Sequence, residues 1–91
     1  MSHTQKSKSK LLGRIRRIKG QSVAIEASLE GDPECMALLQ QIAALKGAVN
    51  GLMKEVLEEH IKEHLGAEDM TQQQRQLEIE DVLSILKTYM K

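Results

Sequence analysis

Four residues of this chain could coordinate a metal or act as a nucleophile: His3, Cys35, His60 and His64. Cys35 is the lone thiol, and His60 and His64 stand four apart, so on a helix both imidazoles project from one face. A thiolate with two or more imidazoles suits borderline ions such as Ni(II), Co(II) and Zn(II), whereas an all-thiolate set favours Cu(I). Each residue also has a blander reading. Imidazole pairs at this spacing are more often solvated than liganded, and Glu58, Glu59 and Glu63 surround this one. A lone cysteine is most often a small buried residue. His3 lies in a tail, residues 1–5, where most histidines do nothing; removal of Met1 before Ser2 would leave a free amine close to it, making a ligand arm.

The stretch Pro33–Leu65 must position Cys35 and the histidine pair. Leu38, Ile42, Leu45, Val49, Leu52 and Val56 recur at helical spacing, with Asp32 as an N-cap, Pro33 at the first helical position and Gly66 as the terminal glycine. This predicts one helix, about 45–50 Å long at ~1.5 Å per residue. Cys35 would sit at about its third position, where the helix dipole and free N–H groups favour a thiolate. Cys35 and His60 would lie nearly 40 Å apart at ~1.5 Å per residue, so they cannot meet within one helix. Two copies packed antiparallel would bring the Cys35 end of one beside the His60/His64 end of the other. Gly47 and Gly51, four apart near the middle, would let the two backbones approach, offsetting the roughly 1 kcal/mol that each interior glycine costs.

Two shorter helices complete an all-α reading, in a single domain spanning residues 1–91 with helices at about 6–30, 33–65 and 71–90. The first carries the stripe Leu11, Ile15, Ile18, Ile25 and Leu29. The third carries Ile79, Val82, Leu83, Leu86 and Tyr89 on its buried side, with Thr71 or Asp69 as cap. Gly31-Asp32 is too short a link for anything but antiparallel neighbours. With Tyr89 the sole aromatic and 91 residues in all, the core must be aliphatic and small, and self-association is the natural way to bury the remaining apolar surface.

The formal net charge of +0 conceals an asymmetry: residues 1–25 hold seven basic side chains and no acid. Lys10, Arg14, Arg17 and Gln21 fall at i, i+4, i+7 and i+11, one polar face beside the apolar stripe. No aromatics interleave, which argues against base stacking and for contacts to duplex phosphates; the plain alternative is a solvated basic helix. No catalytic triad order, phosphate loop or dinucleotide fingerprint is present, so an enzyme is not expected. The lone Cys suits a reducing compartment, and the absence of a signal peptide or apolar span predicts a cytoplasmic protein with no membrane role.

The first-helix run Arg14-Ile15-Arg16-Arg17-Ile18-Lys19-Gly20-Gln21 now joins two segments of the second helix. These are Leu39-Gln40-Gln41-Ile42-Ala43-Ala44 and Gly47-Ala48-Val49-Asn50-Gly51-Leu52-Met53, with Cys35 upstream and His60 downstream. Over nearly the whole chain this combination resembles the CsoR/RcnR family of bacterial transcriptional repressors. The resemblance implies a three-helix protomer, an antiparallel helix-paired dimer and a flat tetramer, a dimer of dimers without a helix-turn-helix. It further implies binding to double-stranded operator DNA in the apo state and release on effector binding, with DNA-binding positions carried onto Arg14, Arg17 and Gln21 beside Lys10.

Branches of the family differ at the effector site. The copper branch has cysteine where this chain has His64. The formaldehyde branch is similar at Cys35 and His60 but typically has proline at position 2 and lacks histidine at 3 and 64. The set His3, Cys35, His60 and His64 resembles the nickel/cobalt branch, as do the opening Met1-Ser2-His3-Thr4 and closing Tyr89-Met90-Lys91. In that branch the N-terminal amine can be a further ligand, with Glu34 and Glu63 beside the site. Arg17, lysine in that branch, departs from it; the Arg-Ile-Arg-Arg run and Glu30-Gly31-Asp32 lean towards the formaldehyde branch. The expectation is a homotetrameric repressor released by Ni(II) or Co(II), with Zn(II) as a further candidate, that derepresses metal efflux. One rival is a formaldehyde sensor using Cys35 and the N-terminal amine. The other is a helical interaction module with no DNA role.

Overall fold

The computed structural model describes residues 5–65 and 68–89, with side chains for all of these except Gln5, Lys6, His64 and Leu65. Helix α1 spans Gln5–Glu30, α2 spans Cys35–His60 and continues into a π-helical turn at Ile61–Leu65, and α3 spans Gln72–Tyr89. The fold is all-α with three helices, and no strand occurs among the described residues.

The helix starts follow from local hydrogen bonding. Glu34 caps α2: its carboxylate accepts from the Ala37 amide at 2.7 Å, while its carbonyl accepts from Leu38 at 3.0 Å. This corrects the expected start. Asp32 is not the cap, Pro33 precedes the helix, and Cys35 is its first residue rather than its third. At α3, Thr71 Oγ1 accepts from the Gln74 amide at 3.0 Å and Gln74 Oε1 accepts from the Thr71 amide at 2.9 Å. That reciprocal capping box settles the choice between Thr71 and Asp69. The expected terminal glycine of the long helix, Gly66, lies outside the described residues.

The chain divides into two compact units, the first ending at Glu55 and the second covering Val56–Lys91. In the first, half-buried positions recur three and four apart: Leu11, Arg14, Ile18, Gln21 and Ile25 on α1, and Leu38, Gln41, Leu45, Ala48, Leu52 and Glu55 on α2. This is the facing seam of an antiparallel helical hairpin, in which the apolar layers alternate with polar ones. The single stripe expected on α2 is therefore two rows. Leu38, Leu45 and Leu52 face α1, whereas Ile42, Val49 and Val56 are exposed at 45%, 41% and 44%. On α1, Ile15 and Leu29 likewise turn outward instead of lying in the seam.

In the second unit α3 packs against the π turn, and Val82 is the one buried hydrophobic residue among those described. Ile79, Leu86 and Tyr89 lie half-buried on the same side of α3, but Leu83, expected there, is exposed. Met36 and Leu39 of α2 are exposed as well, at 56% and 52%.

Candidate nucleic-acid interface and effector residues

The four residues expected on one polar face of α1 do different things. Lys10 and Arg17 are exposed, while Arg14 and Gln21 occupy half-buried seam positions turned towards α2. Arg14 Nη2 lies 2.9 Å from Glu55 Oε1, and Lys10 Nζ reaches the same oxygen at 3.1 Å. The two cations hold the Glu55 carboxyl below the ordinary glutamate value, Arg14 chiefly and Lys10 next, both by hydrogen bonding. Beneath Arg14 lies Gly51, where a Cβ would stand only 2.8 Å from Nη1. The Nε of Arg14 and the Oε1 of Gln21 are buried without a hydrogen-bond partner among the described residues.

Beside this contact Lys10, Gly13, Arg14 and Arg17 line an open hollow of about 330 Å³. These residues fall at i, i+3, i+4 and i+7, and Gly13 leaves the floor bare, since a Cβ there would meet nothing within 4 Å. Arg17 makes no ion pair among the described residues. Cationic groups around a shallow depression on a helix face are suited to a backbone phosphate, with arginine able to bind it bidentately.

The candidate effector residues stand apart within one chain. Cys35 opens α2 as an exposed free thiol, and His60 closes it. His60 Nε2 contacts Glu78 Oε2 of α3 at 2.7 Å, with both side chains about one-third exposed. A carboxylate on one ring nitrogen fixes the orientation of an imidazole and is the usual support of a metal-ligating histidine. His64 lies on the π turn, a rare backbone form that recurs at functional sites, but its side chain is outside the described residues, as is His3. Among the described residues no three His, Cys, Asp or Glu side chains converge as a metal site. The donor types nevertheless fit a borderline divalent ion: Cys35 is a free thiol, His60 is an imidazole held by a carboxylate, and Glu34 is committed to its capping bond.

Two residues in these contacts were absent from the sequence reading. Glu55 could have been found, because it continues the three–four spacing of the α2 seam and stands opposite an α1 seam position held by arginine. Glu78 gave no such signal, since it meets His60 across a turn between elements.

A basic hollow on one helix and a supported imidazole at the end of another fit the company this chain keeps. Residues 7–88 match the family described as metal-sensitive transcriptional repressors, and the chain belongs to that family. It is 58% identical over 91 residues to an uncharacterized protein in the bioA 5′ region of Serratia marcescens. It is 45% identical over 91 residues to the transcriptional repressor RcnR of Citrobacter koseri; in both cases the two chains are covered end to end. A solved structure of a glutamate-to-histidine variant of the formaldehyde-responsive regulator FrmR from Salmonella enterica serovar Typhimurium superposes with a TM-score of 0.84. That match has 44% identity and covers 96% of this chain and 98% of the other. The resemblance to the CsoR/RcnR family thus holds, and a family of repressors accords with the expectation that the chain is not an enzyme. No described helix is long and apolar enough to cross a membrane.

Proposed function

We propose that this chain is a homotetrameric, cytoplasmic repressor that holds operator DNA through α1 and releases it on binding Ni(II) or Co(II), so derepressing metal efflux. The observation that carries the DNA half is the hollow lined by Lys10, Gly13, Arg14 and Arg17 on a helix without aromatic residues. Its lining suits phosphate rather than bases, with Gln21 one turn beyond Arg17. The exposed row Ile42, Val49 and Val56 is what a second copy would cover, in the antiparallel pairing that brings Cys35 to the partner's histidine end. Gly47, where a Cβ meets nothing within 4 Å, remains available to that crossing, whereas Gly51 is filled by Arg14 of its own chain.

In this reading Cys35 of one protomer and His60 and His64 of a second hold the ion, and His3 closes the site. The ion itself supplies a charged crosslink between thiolate and imidazoles. Glu78 keeps the His60 ring oriented for it. Release requires the metal to favour the DNA-free conformation, because equal binding to both conformations shifts nothing.

The exposed Cys35 thiol and the likeness to FrmR favour a second reading, a formaldehyde sensor. The thiolate would add to the aldehyde to give S–CH2–OH, and condensation with the N-terminal amine would expel water and leave an S–CH2–N bridge. Cobalt titration of the reduced apo-protein separates the two. The metal reading expects a sulfur-to-cobalt charge-transfer band that Cys35→Ala abolishes and d–d bands that His64→Ala alters. A spectrum indifferent to both substitutions would remove the metal site and leave the aldehyde reading.

A further inference from the structure

We propose that Gly51 and Glu55 form a seat on α2 that stows Arg14, and that a DNA phosphate must draw Arg14 off this seat. The two residues would then set the affinity of the basic face from outside it. The proposal rests on the DNA-binding reading above and goes beyond it by assigning two α2 residues a part in that binding.

The three guanidinium nitrogens carry the argument. Nη2 is engaged by Glu55 at 2.9 Å. Nη1 rests on Gly51 so closely that even a methyl group would overlap it, at 2.8 Å. Nε is buried with no hydrogen-bond partner among the described residues, which is costly for a charged group. Arg14 therefore directs its nitrogens into the hairpin, and its side chain keeps only 38% of its exposure. Lys10 shares the Glu55 oxygen, so one internal carboxylate opposes two of the three cations around the hollow.

Such a contact competes with DNA. A phosphate offers arginine a bidentate acceptor and would satisfy the idle Nε–H, while Glu55 gives one oxygen to two cations. Gly51 supports the same conclusion by contrast with Gly47. Both lie inside α2, where alanine would be the better helix former. A Cβ at Gly47 meets nothing within 4 Å of the chain, whereas at Gly51 it meets the end of a flexible side chain. A methyl group at Gly51 is thus accommodated by moving Arg14, leaving the backbone in place.

The test is the affinity of the metal-free, reduced full chain for a fluorescein-labelled random-sequence duplex, followed by anisotropy over a range of salt concentrations. Glu55→Gln keeps the shape and one acceptor but removes the charge; it should tighten binding roughly tenfold and steepen the log–log salt slope by about one. Gly51→Ala changes no charge and should also tighten binding, about threefold at low salt, by evicting Arg14. Neither gain should survive in full in an Arg14→Gln background. Helical circular dichroism and sedimentation establish that each variant keeps its fold and assembly, and Gly51→Ser, which also adds a Cβ without charge, replaces Gly51→Ala should that variant not fold.

Tightening by Glu55→Gln without any by Gly51→Ala would reduce the effect to general charge and overturn the seat. Weakening by both would mean that the seat aims Arg14 at DNA, which overturns stowing. Wild-type binding that neither variant alters removes this proposal alone. Failure of the wild type and of both variants to bind the duplex at low salt removes the repressor reading along with it.

Discussion

Among the described residues, each of the two compact units has a carboxylate that reaches across to a candidate functional side chain of another element. In the first, Glu55 of α2 holds Arg14 and Lys10 of α1; in the second, Glu78 of α3 holds His60 at the end of α2. The geometry is similar, yet the chemistry differs. A guanidinium stays charged at every accessible pH, so on the proposed reading the Arg14–Glu55 contact would oppose a competing anion wherever Glu55 is ionised. An imidazole is neutral when it ligates a metal, so Glu78 can orient His60 without competing for the ion. On the proposed reading, one acid would withhold its partner from the expected ligand and the other would prepare its partner for it.

This contrast can be broken experimentally, and the largest effect is expected at Glu78. Glu78→Gln should weaken Co(II) binding by about 10- to 100-fold in chelator competition, the usual consequence of losing an outer-sphere partner. Glu55→Gln should leave the same measurement unchanged; equal losses from both would erase the distinction between the two acids. Next in size, Arg17→Ala should weaken binding to duplex DNA several-fold and lower the salt slope by about one. Arg14→Ala should cost less, since Arg14 is already engaged by an internal anion; the reverse order would show that Arg14 is the freer cation.

Thr71→Ala, which breaks the reciprocal cap of α3, should lower unfolding stability in urea by about 1 kcal/mol without changing DNA affinity. The smallest effect concerns pH. With the folded Glu55 carboxyl lowered from 4.5, its contribution to stability is complete above the ordinary glutamate value and is lost as pH falls through the folded one. Unfolding midpoints measured down an acid series should therefore decline less steeply for Glu55→Gln than for the wild type.

What the amino-acid sequence determined by itself was the set of elements. Apolar residues at helical spacing and a break opening at Gly31-Asp32 suffice for three helices, because amphipathic period is a local property, although the structure moves the start of α2 to Cys35. The family was legible too, since its motif residues lie within single helices. What only the tertiary structure decided was which side of each helix faces what. The expected polar face divided between seam and solvent, placing Arg14 and Gln21 inward and Lys10 and Arg17 outward, and the single α2 stripe divided into a covered row and an open one. Positions three, four or seven apart on a helix differ by about 20–60° of rotation, and only the contact with a second helix selects among them. The same holds for Glu55 and Glu78, whose carboxylates acquire a role from residues far away in the chain. A carboxylate on an exposed helix reads as solvation until its neighbour is known.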